Sequence, residues 1–219
     1  MSSFVVHSIP GSPFGRAVVA TLLEKSARFR FVAVAPRSIK SEPHLSLHPF
    51  GRVPVLEHDG FRLYETQAIL RYLDRVLPAP ALTPTDPKAA ARMDQILCIC
   101  DWYLHQGVNN VIGFQRIVRP RLLGMPCDEA AVADAMPRAH VVFAELSRLL
   151  GTNPYLAGTQ VSLADIVVAS QMDFIAQTPE WAPLTAGRAN LSEWLSRMNS
   201  RQSFEATTWE RVAAMAKAA

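Results

Sequence analysis

Apolar and polar positions follow two different periods along the 219-residue chain, and the change comes partway through it. Phe4 to His7 and Phe29 to Val34 read as strands, with a helix from Pro13 to Lys25 between them that carries Ala17, Val18, Ala20, Thr21 and Leu22. The right-handed crossover rule makes those two strands parallel neighbours. Val53-Pro54-Val55-Leu56-Glu57 and Phe61-Arg62-Leu63 read as two more strands, and His58-Asp59-Gly60 between them carries the Asp-Gly hairpin signal. Pro54 cannot donate to a ladder, so it should open an edge strand and leave the amide and carbonyl of Val53 free for another peptide. Next come Glu65 and Thr66, then Ile69, Tyr72, Leu73 and Val76 at helical spacing. A helix therefore starts near Thr66, and its unpaired amides attract an anion.

After residue 77 the pattern becomes helical throughout. Residues 78–87, PAPALTPTDP, hold four prolines and read as a linker between a domain over 1–77 and an all-helical one over 88–219. Met93, Leu97, Cys100, Leu104, Val108 and Val111 form one apolar stripe that faces a core. Trp102, His105, Asn109, Gly113 and Arg116 fall on another face, which is either solvated or one wall of a pocket. Pro120 and Pro137 should break or kink their helices, and Gly151 should close the segment holding Val142, Phe143, Leu146 and Leu150. In Val161-Ser162-Leu163-Ala164-Asp165-Ile166, Asp165 can reach back to the Ser162 amide as half of a capping box, which makes it a folding residue.

Charge and cysteine usage narrow the function classes. The formal net charge is +3 and scattered, without a basic run, so small anions suit the chain better than nucleic acid. Cys98, Cys100 and Cys127 are odd in number and lack metal-ligand or redox spacing, which fits a reducing cytosol and no metal site. No uninterrupted apolar stretch nears membrane-spanning length, and nothing at the N-terminus reads as a signal peptide. A cytoplasmic location without membrane or nucleic-acid partners is expected.

The stretch HPFGRVPVLEHDGFRLYETQAILRYL resembles the glutathione-binding core of the glutathione transferases. The βαβ then ββα order fits the thioredoxin-like fold of that family, followed by its helical bundle. The resemblance implies that the Val53-Pro54 bond is cis, that the Val53 backbone pairs with the cysteinyl part of glutathione, and that Glu65 and Thr66 hold its γ-glutamyl end. Lys40 matches a lysine that meets the glycine carboxylate in phi-type members, and Arg52 stands where that pattern usually has Gln. The capping box at Ser162 and Asp165 matches the start of the family's buried core helix. A homodimer is implied as well.

Ser12 sits at the junction of the first strand and first helix, and the spacing Ser12, Arg16, Glu24-Lys25 resembles the serine-type members, in which this serine activates the glutathione sulfur. No Tyr lies near the first strand and no Cys precedes Cys98, which departs from the tyrosine and cysteine types. Taken as a residue alone, Ser12 followed by Pro13 is a favoured helix cap. The two roles are compatible, because a hydroxyl can accept from the Gly15 amide and still donate its proton. Lowering a thiol pKa by two units needs about 2.7 kcal/mol. A hydrogen bond to a charged group supplies roughly 1.5 to 3 kcal/mol and a helix N-terminus about 0.3 to 1.

The expected activity is therefore conjugation of glutathione to, or reduction of, a small hydrophobic electrophile. Phe14, Trp102, His105, Asn109, Arg116 and Phe174 are candidates for the acceptor pocket. A non-enzymatic binding module of the same fold is the rival, disfavoured by the intact Ser12, Lys40, Glu65 and Thr66. A glutaredoxin-like reductase would need the N-terminal Cys that is missing.

Overall fold

A computed structural model describes residues 4–77 and 79–218. Met1 to Ser3, Pro78, where the expected linker begins, and Ala219 lie outside them. The chain divides into two compact units: residues up to Thr83 together with those from Ser200 onward, and Pro84–Asn199. The linker pattern predicts that everything after residue 87 belongs to the helical part, whereas the stretch from Ser200 onward clusters with the sheet.

The first unit is built on a four-stranded sheet in the order β2-β1-β3-β4, with β1 at Phe4–Ser8, β2 at Phe29–Ala33, β3 at Val55–His58 and β4 at Phe61–Tyr64. β1 runs parallel to β2 and antiparallel to β3. The crossover between β1 and β2 is α1, Pro13–Glu24, whose Ala17, Val18, Val19, Ala20 and Leu22 are wholly buried. Asp59 and Gly60 have φ of 49° and 85°, so the β3–β4 turn has the two positive φ values of a primed hairpin turn. β3 begins at Val55, two residues later than the pattern suggested, and lies inside the sheet between β1 and β4. Pro54 therefore precedes a central strand instead of opening an edge one. Its missing N–H costs nothing there, because pairing starts only at Val55.

α2 is the short helix His44–Leu47 and α3 is Thr66–Val76, whose Ile69, Leu70 and Leu73 are buried. After residue 199 come α9, Gln202–Glu205, and α10, Trp209–Ala218, which packs on β2. Two ion pairs tie this unit together. Lys25 reaches Asp74 at 2.5 Å with its ammonium fully buried, and it also donates to the Pro80 carbonyl. Arg201 grips Glu24 with two hydrogen bonds of 2.8 and 2.7 Å.

The second unit is helical: α4 Pro87–Ile99, a wide helix Cys100–Leu123, α5 Glu129–Leu150, α6 Leu163–Ala176, α7 Trp181–Thr185 and α8 Ala189–Asn199. Nearly every residue of α6 is buried, which makes it the core helix. Asp165 accepts from the Ser162 amide (2.9 Å), the Ser162 hydroxyl (2.7 Å), the Leu156 amide (2.8 Å) and the Trp194 indole (2.9 Å). Burial pushes its carboxyl above the usual range despite those four donors. Pro137 lies inside α5 and Pro120 inside the wide helix without ending either, and Gly151 caps α5 with φ 55°.

Cys100–Leu123 winds with i→i+5 bonds, so positions four and five apart share a face. Cys100, Leu104, Val108, Ile112 and Ile117 are buried, and Asn109 and Gly113 are buried with them. A 3.6-residue period predicts Val111 on the core stripe and the latter pair on another face, and the wider winding changes both. Among the described residues no helix is long and apolar enough to cross a membrane. All three cysteines are free thiols.

Candidate functional site

The sheet register brings three separate loops to one end of the sheet. β1 ends at Ser8 beside Ala33 of β2, and Val55, where β3 starts, pairs with both His7 and Tyr64. The chain therefore leaves β1 toward Ser12, enters β3 from Val53, and leaves β4 into Glu65 at the same edge of the domain. The open end of the sheet collects residues that lie more than fifty positions apart in sequence.

Ser12 is the N-cap of α1, with Pro13 at the first helical position. Its hydroxyl accepts from the Gly15 amide at 3.2 Å, and its own amide donates to the Ile9 carbonyl at 3.0 Å. The hydroxyl is half-buried and keeps a proton to give, while the first turn of α1 turns its amides toward the same point. Ser8 offers no rival hydroxyl, since it is fully buried against α1 and a Cβ on Gly15 would meet its Oγ at 2.1 Å.

Across the same end, the Val53-Pro54 peptide is cis, and Val53 makes no backbone–backbone hydrogen bond among the described residues. Glu65 caps α3 with φ 70° and ψ 111°, a left-handed conformation that non-glycine residues rarely adopt. Such conformations cluster where a binding site dictates the backbone. Thr66 follows as the first helical residue, largely buried, and the Glu65 side chain makes no capping hydrogen bond to the start of α3. The exposed Lys40 ammonium donates to the Phe50 carbonyl at 2.8 Å, folding back over the loop before β3. Arg52 is exposed, and its carbonyl accepts from His44 Nε2 at 2.7 Å.

Two histidines that sequence reasoning left unused complete this edge. His44 and His48 stand four apart in and beside α2, so helical spacing alone turns them to one side. The His48 ring lies 4.6 Å from that of Tyr64, and its buried Nδ1 finds no hydrogen-bond partner among the described residues. Burial pushes the His48 imidazole below its ordinary pKa. The nearby Glu65 carboxylate pulls it back up in part, and the His44, Arg52 and Lys40 charges push it down further. The pair His-x-x-x-His between Pro43 and Pro49 was the available signal.

Of the six acceptor-pocket candidates, Phe14 is a half-buried residue of α1 and the other five belong to the helical unit. There Asn109 donates to the Gln171 carbonyl at 3.0 Å and to its side-chain oxygen, which His105 Nδ1 also approaches at 3.4 Å. Phe174 packs so closely on Gly113 that a Cβ there would meet its ring at 2.7 Å. Asn109, His105 and Phe174 thus gather around Gln171 and Gly113. Trp102 stands apart and is 72% exposed. Arg116 spends its guanidinium on Glu129 and Glu180, with contacts of 2.6 to 2.9 Å, and on the Cys127 sulfur. Among the described residues no cluster of His, Cys, Asp and Glu could hold a metal ion.

Comparison with known proteins matches most of the chain to one family. The family model described as glutathione S-transferase, N-terminal domain, matches residues 2–75, and its C-terminal counterpart matches residues 112–202. A glutathione S-transferase of Hyoscyamus muticus is 30% identical over 200 residues, covering 90% of this chain and 93% of that protein. Glutathione S-transferase F10 of Arabidopsis thaliana is 29% identical, with 91% of each chain covered. Among solved structures, glutathione S-transferase III in its apo form superposes with a TM-score of 0.83 at 29% identity, over 97% of each chain. Glutathione S-transferase I bound with lactoylglutathione gives 0.81 at 26% identity, over 97% of this chain and 99% of that one.

Proposed function

The chain belongs to the glutathione S-transferase family, and from that premise we propose that it binds glutathione and delivers its sulfur as a thiolate to a small hydrophobic electrophile. The observation that carries this reading is Ser12, a capping hydroxyl that accepts from one amide at the start of α1 and retains its proton. Donated to a bound sulfur, that proton stabilises the anion by roughly 1.5 to 3 kcal/mol. The helix terminus adds about 0.3 to 1 kcal/mol, enough together to bring a thiol of pKa about 8.5 to the thiolate at neutral pH. No general base is needed.

In this reading the Val53 backbone, turned outward before Pro54, pairs with the cysteinyl part of glutathione. Glu65 and Thr66 hold the γ-glutamyl end at the start of α3, while Lys40, and more weakly Arg52, meet the glycine carboxylate. The helix start at α3, where the Glu65 side chain makes no capping bond, and the Lys40 ammonium suit a peptide with a carboxylate at each end. Phe14, Trp102, His105, Asn109, Arg116 and Phe174 remain the proposed acceptor-side residues. The protein is taken to work as a cytoplasmic homodimer without a metal.

The relatives' names and the neighbour solved with lactoylglutathione favour an enzyme over a binding module of the same fold. Calorimetry with glutathione and S-methylglutathione, followed by a panel of haloaromatic, epoxide, enone and hydroperoxide acceptors, tests the proposal. Binding of both peptides with turnover of at least one acceptor is expected. Binding without any turnover would favour the module instead.

A further inference from the structure

The segment after residue 199 returns to α1 and touches the Ser12 turn on both sides. Gly11, the residue before Ser12, has φ 86°, and a Cβ added to it would lie 2.3 Å from Trp209 Cδ2 and 2.4 Å from Cε3. The indole therefore occupies the space a side chain at position 11 would need. One helical turn beyond Ser12, Arg16 donates from Nε to Thr207 Oγ1 and from Nη2 to the Phe204 carbonyl, both at 3.3 Å, with its guanidinium 4.9 Å from the Phe204 ring centroid. The Arg16 amide donates in turn to the Ser12 carbonyl at 2.8 Å.

These contacts are anchored in their own right. Thr207 Oγ1 donates to the Ser203 carbonyl at 2.8 Å, and Ser203 and Arg201 both bind Glu24 at the far end of α1. Phe204 and Thr207 are each 1% exposed. By contrast, the bond that orients the Ser12 hydroxyl is long, at 3.2 Å, the weak end of the hydrogen-bond range. A glycine in the left-handed region gives the turn freedom to move, and only a wall against it removes that freedom.

We propose that Trp209 is a positioning residue for Ser12: its indole wall fixes the Gly11 backbone and so the direction in which the Ser12 hydroxyl points. The inference rests on the reading of Ser12 as the hydroxyl that stabilises the glutathione thiolate. Activation of the sulfur at one end of the sheet then depends on the closing helix of the chain. A displacement of about 1 Å at a reacting group can cost on the order of a hundredfold in rate.

The test uses the full-length protein with glutathione bound. The ultraviolet absorption of the bound thiolate is titrated with pH for the native chain, Trp209→Ala and Trp209→Phe, alongside kcat and KM for a responsive acceptor and thermal unfolding. Trp209→Ala should raise the bound-thiol pKa by about one unit and lower kcat about tenfold, with KM for glutathione changed less than about twofold. Trp209→Phe, which keeps a flat ring against Gly11, should restore most of both. If the alanine variant does not fold, Trp209→Leu takes its place beside Trp209→Phe with the same expected order. A folded variant without the aromatic ring that binds glutathione with an unmoved thiol pKa overturns the inference while the Ser12 reading stands. A native chain that binds glutathione without depressing its thiol pKa overturns the Ser12 reading, and this inference with it.

Discussion

The Ser12 hydroxyl accepts from the Gly15 amide and, on the proposed reading, donates its proton to the bound sulfur, and a single substitution removes both. If Ser12 stabilises the thiolate as proposed, Ser12→Ala removes a hydrogen bond to a charged group worth roughly 1.5 to 3 kcal/mol, so kcat should fall about 10- to 150-fold. The pH–rate profile should shift to higher pH while glutathione affinity changes little, as steady-state kinetics across pH and calorimetry will read. Full activity with an unmoved profile would reduce Ser12 to a helix cap. If Glu65 and Thr66 hold the γ-glutamyl end as proposed, they act on the ground state and the transition state alike, so Glu65→Ala and Thr66→Ala should raise KM for glutathione more than they lower kcat. Titration of Thr66→Ala with unaltered affinity would remove that assignment. His48 carries a pH signature of its own. Its pKa is depressed in the folded chain, so the unfolded chain binds the proton first. Stability is therefore present above the unfolded value of about 6.5 and declines as pH falls below it. His48→Asn should flatten that decline, measured as urea midpoints between about pH 7 and 5.

At the scale of elements, the strongest local devices are the hairpin turn and the head of α6. Asp59-Gly60 adopts the positive φ pair that its residue types favour, and it sets the register that pairs Val55 with Tyr64. Asp165 holds four donors at once, three of them around the start of α6 and one from Trp194 on α8. Asp165→Ala should cost roughly 3 to 5 kcal/mol, the loss of a cap plus buried donors left without partners. Thermal unfolding should record it, and turnover per folded molecule should stay near the native value. A variant that melts normally but turns over slowly would place Asp165 in the chemistry instead. The wide helix Cys100–Leu123 marks where local reading stops working. Its side chains alternate as an ordinary amphipathic helix would, but the i→i+5 winding buries Asn109 and Gly113, and nothing in the residue types announces that pitch.

Over the whole molecule, two largely buried carboxylates of the first unit contribute to acid stability. Burial pushes Asp74 up, but the Lys25 ammonium, Thr83 and the Leu82 amide outweigh it. Arg201 and Ser203 do the same for Glu24, so both lie below the ordinary range. Groups depressed in this way contribute stability above their unfolded pKa of about 4, and lose it as pH falls through the folded value. Lys25→Met would leave Asp74 buried and unpaired, at a cost of about 3 to 5 kcal/mol. It should also move the acid transition to higher pH, as urea unfolding at several pH values would show. By itself the sequence determined the strand and helix order of the first unit, the hairpin, the capping box and the short motifs at Ser12, Val53-Pro54 and Glu65-Thr66. Each of these is written in neighbouring residues, because caps, turns and helix starts are satisfied within a few positions of the chain. Only the tertiary structure decided that β3 lies inside the sheet, that the His48 ring lies against Tyr64, that Arg116 is spent on Glu129 and Glu180, and that the last helices return to α1. Those outcomes depend on partners tens to nearly two hundred residues away, and local periodicity holds no information about which distant groups will satisfy a buried charge or fill the space beside a glycine.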